Sequence, residues 1–351
     1  MPRPRPRYCV WELTLACDAR CVHCGSFAGP ARHRELSTPE ALDAVDQLAE
    51  LGCRSVTLSG GEPLMREDWP ALAGRIVERG MRLEMVTNGL AVEAQADTIA
   101  AAGFFAVSLS VDGPPALHDE LRGIDGGFDA LARGARALRE RGVRLGAVTQ
   151  VNRRNLPVLD EVHDLLLGHG FAGWQVQLTL AHGRAASMAE GREPLCLEPG
   201  QLPELERKLL AYLDRGRLYV HAADSVGYMG RGENRIRSGT GRDGNVWAGC
   251  QAGIQVIGLT SDGRVRGCLS LPPAFDEGSL RERTLAEIWD DPAGFAFTRR
   301  FHPDQLTGAC AGCPLGRICR GGCTSLAVSV TGVVGDNPHC LRRLMREEEA
   351  H

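Results

Sequence analysis

Three cysteines near the start of the chain have a spacing suited to metal chemistry. Cys17, Cys21 and Cys24 stand directly after an apolar run that predicts a strand. Three closely spaced thiolates can hold one face of a [4Fe–4S] cluster and leave one iron open to an outside ligand. A structural zinc site needs four protein ligands, and His23 could supply the fourth. The spacing therefore indicates an iron–sulfur cluster, with a zinc site as the alternative.

A glycine pair with an acidic residue follows the second predicted strand. The segment reads Ser59, Gly60, Gly61, Glu62 and Pro63. Two glycines let the backbone approach a ligand closely. Exposed carbonyl groups together with the Glu62 carboxylate suit a cationic ammonium group. A tight turn between a strand and a helix is the alternative interpretation.

The C-terminal third of the chain contains a second concentration of cysteines. The seven positions are Cys250, Cys268, Cys310, Cys313, Cys319, Cys323 and Cys340. Taken alone, this spacing fits a zinc ribbon as well as it fits iron–sulfur clusters. The whole chain has 13 cysteines, an odd number that disulfides cannot fully pair. We therefore expect a cytoplasmic protein with reduced thiols.

Alternating strands and helices are predicted to position these groups. The predicted strands are 10–15, 55–58, 82–86, 104–110, 143–150 and 174–178, and the predicted helices are 38–51, 69–79, 92–102, 128–141, 156–167 and 201–214. Such alternation favours parallel strands joined by right-handed crossovers. Six units are fewer than the eight of a closed barrel. The fold class is therefore α/β, an open partial (β/α)6 TIM-like barrel with its site at the carboxyl ends of the strands.

Five segments follow from this pattern. They are a disordered tail at 1–7, the partial barrel at 8–180, a bridging helix with a glycine-rich connector at 181–249, an irregular cysteine-rich cluster-binding domain at 250–345, and a tail at 346–351. The cysteine-rich segment has little apolar periodicity, so metal sites would have to organise it. The net charge of −4 and the lack of a long apolar run argue against nucleic-acid and membrane partners.

The cysteine trio and the glycine motif together resemble the signature of the radical S-adenosylmethionine (SAM) superfamily. The resemblance implies that the amino and carboxylate groups of SAM chelate the open iron. One electron from the cluster would then cleave SAM to a 5′-deoxyadenosyl radical, which takes a hydrogen atom from the substrate. The protein would position the reactants and exclude water.

The same resemblance implies further contacts to SAM. Ser110 and Arg122 match positions that hold the SAM carboxylate in members that modify peptides and sulfatases. For Arg122, a surface ion pair with Asp119 or Glu120 is the alternative. Additional positions around the SAM pocket are Thr87, Asn88 and Asn152.

The C-terminal cysteines resemble those of the SPASM domain, an auxiliary-cluster module of radical SAM enzymes. The resemblance implies three [4Fe–4S] clusters in total. It assigns Cys310, Cys313, Cys319 and Cys340 to a distal cluster, and Cys250, Cys268 and Cys323 to a nearer one. The fourth ligand of the nearer cluster would be Cys196, a non-cysteine side chain or the substrate.

The resemblance points to a ribosomally made peptide or protein as substrate. Oxidation to formylglycine is disfavoured, because Leu269 replaces the aspartate that serves as a base in sulfatase-maturing members. About seven residues precede the first strand, so a leader peptide would need a separate recognition protein or a groove on the barrel. A flavodoxin or ferredoxin would supply electrons. The alternatives are the same chemistry on a tetrapyrrole or amino sugar, and a non-catalytic metal-binding or electron-transfer protein.

Four polar residues are candidates for acid–base catalysis. They are Asp112, His118, His221 and Asp224. Without geometry, a structural role is the more frequent one for each of them.

Overall fold

Ten strands form one sheet, and helices lie between most of them along the chain. The computed structural model describes residues 4–186, 194–238 and 246–349, so parts of the predicted tails and connector lie outside the described residues. The strands are β1 (Tyr8–Thr14), β2 (Ser55–Gly60), β3 (Arg82–Thr87), β4 (Ala106–Ser110), β5 (Leu145–Val151), β6 (Gly173–Leu178), β7 (Tyr219–Ala222), β8 (Val256–Leu259), β9 (Arg264–Arg266) and β10 (Asp276–Ser279). Their order in the sheet is β10-β9-β8-β1-β2-β3-β4-β5-β6-β7.

Helices connect most of the strands and cover one face of the sheet. They are α1 (Thr38–Glu50), α2 (Trp69–Glu78), α3 (Ala96–Ala101), α4 (Pro115–Arg122), α5 (Gly127–Glu140), α6 (Leu159–Gly168), α7 (Gly183–Ala186), α8 (Leu202–Arg215), α9 (Glu233–Ser238), α10 (Leu285–Trp289), α11 (Ala296–Arg299), α12 (Gly316–Cys319), α13 (Thr324–Thr331) and α14 (Leu341–Glu349). Helix α1 begins with a capping box in which Ser37 and Glu40 bond each other's backbone N–H groups. Among the described residues, no helix is both long and apolar enough to cross a bilayer.

The two faces of the parallel strands differ in polarity. On the outer face, Trp11, Leu58 and Leu109 are completely buried against the helices. On the inner face, the register aligns polar positions that remain partly exposed, including Thr57 beside Glu84. Since successive side chains of a strand alternate between faces, one face forms the core and the other lines an accessible cleft.

The structure confirms the α/β class and the open partial barrel and extends the predicted sheet at both edges. Strand β7 pairs in parallel with β6 and adds a seventh barrel strand within the predicted connector. Strand β8 pairs in parallel with β1, where Tyr8 lies opposite Val256. The cysteine-rich segment is therefore less irregular than predicted, because its first strands continue the barrel sheet.

The segments predicted as tails are bound to the protein in their described parts. The carbonyl of Pro4 accepts a hydrogen bond from the Trp289 indole at 3.0 Å. The Arg7 backbone N–H donates to the Gln255 carbonyl at 2.7 Å. At the other end, α14 continues to Glu349. Residues 4–7 are therefore hydrogen-bonded to the rest of the protein, and residues 346–349 belong to α14.

Candidate active site

The three N-terminal cysteines lie on a loop that leaves the carboxyl end of β1. Cys17 and Cys21 are buried, and Cys24 is half-buried. The loop closes on itself, because the Cys17 N–H donates to the Gly29 carbonyl at 2.8 Å and the Gly29 N–H donates to the Leu15 carbonyl at 3.1 Å. A short, closed loop presents three thiols from one stretch of backbone, as a three-cysteine cluster site requires.

The glycine motif after β2 packs directly against this cysteine loop. The Gly61 N–H donates to the Thr14 carbonyl and the Glu62 N–H to the Ala16 carbonyl, both at 2.7 Å. A methyl group on Gly61 would come within 2.1 Å of the Ala16 carbonyl oxygen. The position therefore admits only glycine, and the motif fixes the backbone that leads into Cys17.

Glu62 is completely buried and organises the ends of two strands. Its Oε1 accepts hydrogen bonds from the Leu64 N–H at 3.1 Å and the Thr87 hydroxyl at 2.8 Å, and its Oε2 accepts one from the Asn88 N–H at 2.7 Å. Burial raises the pKa of Glu62 to about 7, although these hydrogen bonds oppose the rise. A carboxylate has about four acceptor sites, so one remains for a further donor, and a cationic donor would favour the ionised form.

We expect Glu62→Gln to destabilise the protein and to weaken SAM binding. The glutamine amide nitrogen would face a backbone N–H or the Thr87 hydroxyl, so at least one buried donor would lose its acceptor. Hydrogen bonds to a charged group contribute roughly 1.5–3 kcal/mol, so we expect a lower melting temperature and a roughly tenfold higher SAM dissociation constant. Glu140→Gln, at the exposed end of α5, is the control. Equal melting temperatures for the two variants would contradict this role.

Arg122 lies behind the cysteine loop and is ion-paired with Asp112, not with either partner predicted for it. Its Nη2 is 2.6 Å from Asp112 Oδ2, and both side chains are buried. The alternative of a surface ion pair is therefore wrong. Asp119 instead accepts the Gly126 N–H at 2.8 Å, and Glu120 bonds Arg154.

Two of the four acid–base candidates belong to this buried group. Asp112 is completely buried and also contacts His23, whose Nε2 is 3.1 Å from Asp112 Oδ2. The Nδ1 of His118 accepts the Asp112 N–H at 3.3 Å. Burial and the neighbouring Arg122 lower the pKa of His118 to about 4, so this ring is neutral near pH 7. Asp112 and His118 therefore contact each other and other buried protein groups, and the His23 ring faces Asp112.

The remaining SAM-contact candidates lie at the ends of β3, β4 and β5. The Asn88 amide donates to Asp18 Oδ1 at 2.6 Å and lies 4.0 Å from Cys17 Sγ. Ser110 is buried at the last position of β4. Asn152 is also buried, and its Oδ1 accepts the Arg154 N–H at 2.9 Å. Asn88 thus contacts the cysteine loop, whereas Asn152 stabilises the turn after β5.

Arg184, which no sequence pattern indicated, bonds the cysteine loop from the side opposite the glycine motif. Its Nε donates to the Cys21 carbonyl at 2.7 Å, and its Nη1 donates to the Ala28 carbonyl at 2.8 Å. Its own N–H donates to the Cys24 carbonyl at 2.9 Å. More than 150 residues separate Arg184 from these partners, so no local sequence pattern could predict the contact.

In the nearer cysteine set, Cys268 lies against β8, since a methyl group on Gly258 would come within 3.2 Å of the Cys268 carbonyl carbon. Burial raises the pKa of the Cys323 thiol, and the charges of Cys250 and Cys268 raise it further. The Cys323 N–H donates to the Tyr228 hydroxyl at 2.9 Å, and that hydroxyl donates to the Asp224 carbonyl at 2.8 Å. This chain of hydrogen bonds connects the set to the loop after β7.

Of the other two acid–base candidates, Asp224 neighbours this set and raises the pKa of Cys323, whereas His221 lies on β7. His221 is partly exposed on the inner face of β7, and Asp224 is exposed in the segment that follows β7. Cys196, a candidate fourth ligand, lies elsewhere. Its carbonyl accepts a hydrogen bond from Arg153 at 3.0 Å, and the next residue, Leu197, bonds His339 at 2.9 Å. Among the described contacts, none joins Cys196 to the nearer set.

The distal cysteine set surrounds a cavity of about 280 Å³. The four cysteines that line it are Cys310, Cys313, Cys319 and Cys340. Across residues 4–186, 194–238 and 246–349, no three His, Cys, Asp or Glu side chains are gathered tightly enough to hold one metal ion. Four thiols around a wider space suit the donor set of a [4Fe–4S] cluster.

The parallel sheet and its cysteine loop define an enzyme that uses SAM and iron–sulfur clusters, as comparison with known proteins shows. The family model of the radical SAM superfamily matches residues 11–152, and that of the SPASM iron–sulfur cluster-binding domain matches residues 250–314. The chain belongs to the radical SAM superfamily and carries a SPASM domain, so the resemblance predicted from the sequence is confirmed.

Two relatives and one solved structure are similar to this chain. The chain is 31% identical to the AdoMet-dependent heme synthase of Oleidesulfovibrio alaskensis, covering 96% of this chain and 87% of the relative. It is also 31% identical to the mycofactocin maturase MftC of Mycolicibacterium smegmatis, covering 95% and 82%. The crystal structure of Streptococcus suis SuiB bound to S-adenosylmethionine has the same fold, with a TM-score of 0.71 at 18% identity over 96% of this chain and 76% of that chain.

Proposed function

We propose that this enzyme abstracts a hydrogen atom from a ribosomally made peptide or protein, and that Cys17, Cys21 and Cys24 hold its SAM-binding cluster. The cluster that these three cysteines would hold would supply the electron for reductive cleavage of SAM, and the 5′-deoxyadenosyl group would take up the hydrogen atom. The seven C-terminal cysteines would hold two further [4Fe–4S] clusters, giving three in total.

The contacts around the N-terminal cysteines support this assignment. Backbone groups after β2 and at the end of α4 bond the cysteine loop, as when the Val22 N–H donates to the Leu121 carbonyl at 2.9 Å. The side chains of Asn88, after β3, and of Arg184, in α7, bond it as well. A loop fixed from several sides can keep three thiolates in one arrangement during an electron transfer.

The polar side chains on the inner face of the sheet are the main support for a peptide substrate. The amides of Gln175 and Gln177 on the inner face of β6 bond each other at 3.1 Å, and Gln150 lies opposite Gln177 in the register. Each amide offers both donors and acceptors, which matches the alternating N–H and C=O groups of a peptide backbone. A ribosomal substrate could also require a separate leader-recognition protein, and a flavodoxin or ferredoxin would supply the electrons.

A tetrapyrrole is the second candidate substrate, because the chain is 31% identical to a heme synthase. Tetrapyrroles with propionate groups favour arginine or lysine at their binding sites. Beyond the first residue of each strand, the inner positions of β1–β7 carry neither. Glu84 stands there instead, and its negative charge would repel propionates. The cleft therefore supports the peptide more than the tetrapyrrole.

The first test measures clusters and SAM cleavage. After anaerobic reconstitution we expect about twelve iron atoms per chain, and 5′-deoxyadenosine upon addition of SAM and dithionite. Cys313→Ala should lower the iron content to about eight and should leave the spectral change on SAM addition intact. The control Ile318→Ala changes an exposed residue of the same segment and should keep all the iron. A wild-type protein that holds zinc and no iron would contradict the proposal.

The second test separates the two substrates. The reconstituted enzyme is incubated with SAM, dithionite and either a short peptide encoded beside its gene or a propionate-bearing iron porphyrin. We expect a mass change in the peptide and faster formation of 5′-deoxyadenosine in its presence. A mass change confined to the porphyrin would replace the peptide proposal with the tetrapyrrole one.

A further inference from the structure

Arg122 joins a cluster-loop cysteine to a buried carboxylate. Its Nη1 lies 3.6 Å from Cys21 Sγ, within hydrogen-bonding distance for sulfur, and its Nη2 lies 2.6 Å from Asp112 Oδ2. The backbone of Arg122 is also bonded to the cysteine loop, because the Arg20 N–H donates to the Arg122 carbonyl at 3.1 Å. Gly123, which follows with a φ of 66°, ends α4 close to the cysteine loop.

Asp112 is itself fixed from three directions. Its Oδ1 accepts the Gln150 N–H from β5 at 2.8 Å. His23 of the cysteine loop approaches its Oδ2 at 3.1 Å, and His118 of α4 accepts its N–H. The charged and titratable groups that face the carboxylate are thus Arg122, His23 and His118. The position of the carboxylate, and with it that of the guanidinium, is determined by the fold.

We propose that the Arg122–Asp112 pair sets the reduction potential of the SAM-binding cluster through the Cys21 sulfur. This inference rests on the proposed role of Cys21 as a cluster ligand. Reduction adds a negative charge to the cluster, and hydrogen bonds to its sulfurs are among the factors that set its potential. A guanidinium in a buried site stabilises that charge strongly, whereas the carboxylate behind it opposes the effect. Arg122 therefore acts on the cluster through Cys21 and makes the cluster easier to reduce.

This role differs from the one that the family resemblance implies for Arg122. A residue that only holds the SAM carboxylate changes the affinity for SAM and has no effect on the cluster before SAM is added. In the described part of the chain, Arg122 Nε has no hydrogen-bond partner, so a donor remains for SAM even with Nη1 on the sulfur. The two roles are separated by measuring the cluster in the absence of SAM.

Redox titration followed by electron paramagnetic resonance tests the proposal on the reconstituted, SAM-free protein. At the potential where half of the wild-type cluster is reduced, Arg122→Gln should lower the ratio of reduced to oxidised cluster about tenfold, a shift of about 59 mV for one electron. Asp112→Asn should raise the ratio by a similar factor, because it leaves the guanidinium charge uncompensated. The double variant should lie between the two.

Shifts of the midpoint potential in opposite directions for Arg122→Gln and Asp112→Asn distinguish an electrostatic role from a structural one. Loosening of the loop would move both single variants in the same direction, and that result would overturn the proposal. Arg122→Gln leaves a buried carboxylate unpaired and can fail to fold. If Arg122→Gln does not fold, Asp112→Asn and the double variant test the proposal. A wild-type midpoint potential in both of these variants would also overturn the proposal. Arg133→Gln removes a surface ion pair with Glu93 and should keep the wild-type midpoint.

The wild-type protein separates this inference from the proposed function. If the wild type assembles no cluster that responds to SAM, the proposed function itself fails. If the cluster forms, binds SAM and keeps the same midpoint in every variant, only the role of Arg122 and Asp112 is overturned.

Discussion

Cys21→Ala should abolish the formation of 5′-deoxyadenosine. Two cysteines would remain in the loop, and two thiolates cannot hold a [4Fe–4S] cluster that needs three and leaves its fourth iron for SAM. The loss should exceed the roughly 100-fold effect of removing an outer partner of a metal site. Iron should fall from about twelve to about eight atoms per chain, because the C-terminal cysteines are untouched.

Cys53→Ala is the matched control for this experiment. Cys53 is also buried near the barrel, but its thiol bonds the Ser55 carbonyl at 3.3 Å and lies outside the cysteine loop. We expect full iron content and full SAM cleavage for this variant. If Cys21→Ala and Cys53→Ala produced 5′-deoxyadenosine equally well, the N-terminal cysteines would not be the SAM-binding site.

Gly61→Ala should displace the cysteine loop and eliminate SAM binding. The added methyl group would lie 2.1 Å from the Ala16 carbonyl oxygen and 2.5 Å from that of Leu15. Both obstacles are backbone atoms, so no side chain can move aside to relieve the clash. Overpacking typically costs about 1–3 kcal/mol, and a backbone clash belongs at the upper end of that range. The melting temperature, the iron content and the spectral response to SAM should all decrease.

Gly74→Ala provides the comparison for this substitution. Gly74 lies within α2, and an added methyl group would meet no atom within 4 Å. Alanine in a helix interior is favoured over glycine by about 1 kcal/mol, so this variant should be as stable as the wild type or more stable. A Gly61→Ala protein with wild-type melting temperature and SAM response would show that the loop can move without loss of function.

Much of the barrel could be predicted from local patterns. The predicted strand at 82–86 corresponds to Arg82–Thr87, and the predicted helix at 128–141 corresponds to Gly127–Glu140. In both cases apolar periodicity and a following glycine set the boundaries. Strands β7 and β8 were missed because each has four residues, and their existence depends on pairing with β6 and β1 far away in the sequence. Helix α4 was missed for a similar reason, since it is short and polar on average.

The candidate site was predictable where chemistry depends on spacing along the chain. The glycine motif packs against the cysteine loop, and four of the C-terminal cysteines line one cavity. Contacts between distant segments were not predictable. Arg122 pairs with Asp112, and Arg184 reaches Cys21, because α4 and α7 are brought to the loop by the sheet. Neither pairing has a signature in the sequence.

The pairing of β8 with β1 means that the two family modules share one hydrogen-bonded ladder. They should therefore unfold together as one cooperative unit, despite their separate definitions in sequence. A chain cut before Cys250 would expose the N–H and C=O groups of β1 along a bare edge, which invites aggregation. In evolution, gain or loss of the C-terminal module would thus also require a new way to protect that edge.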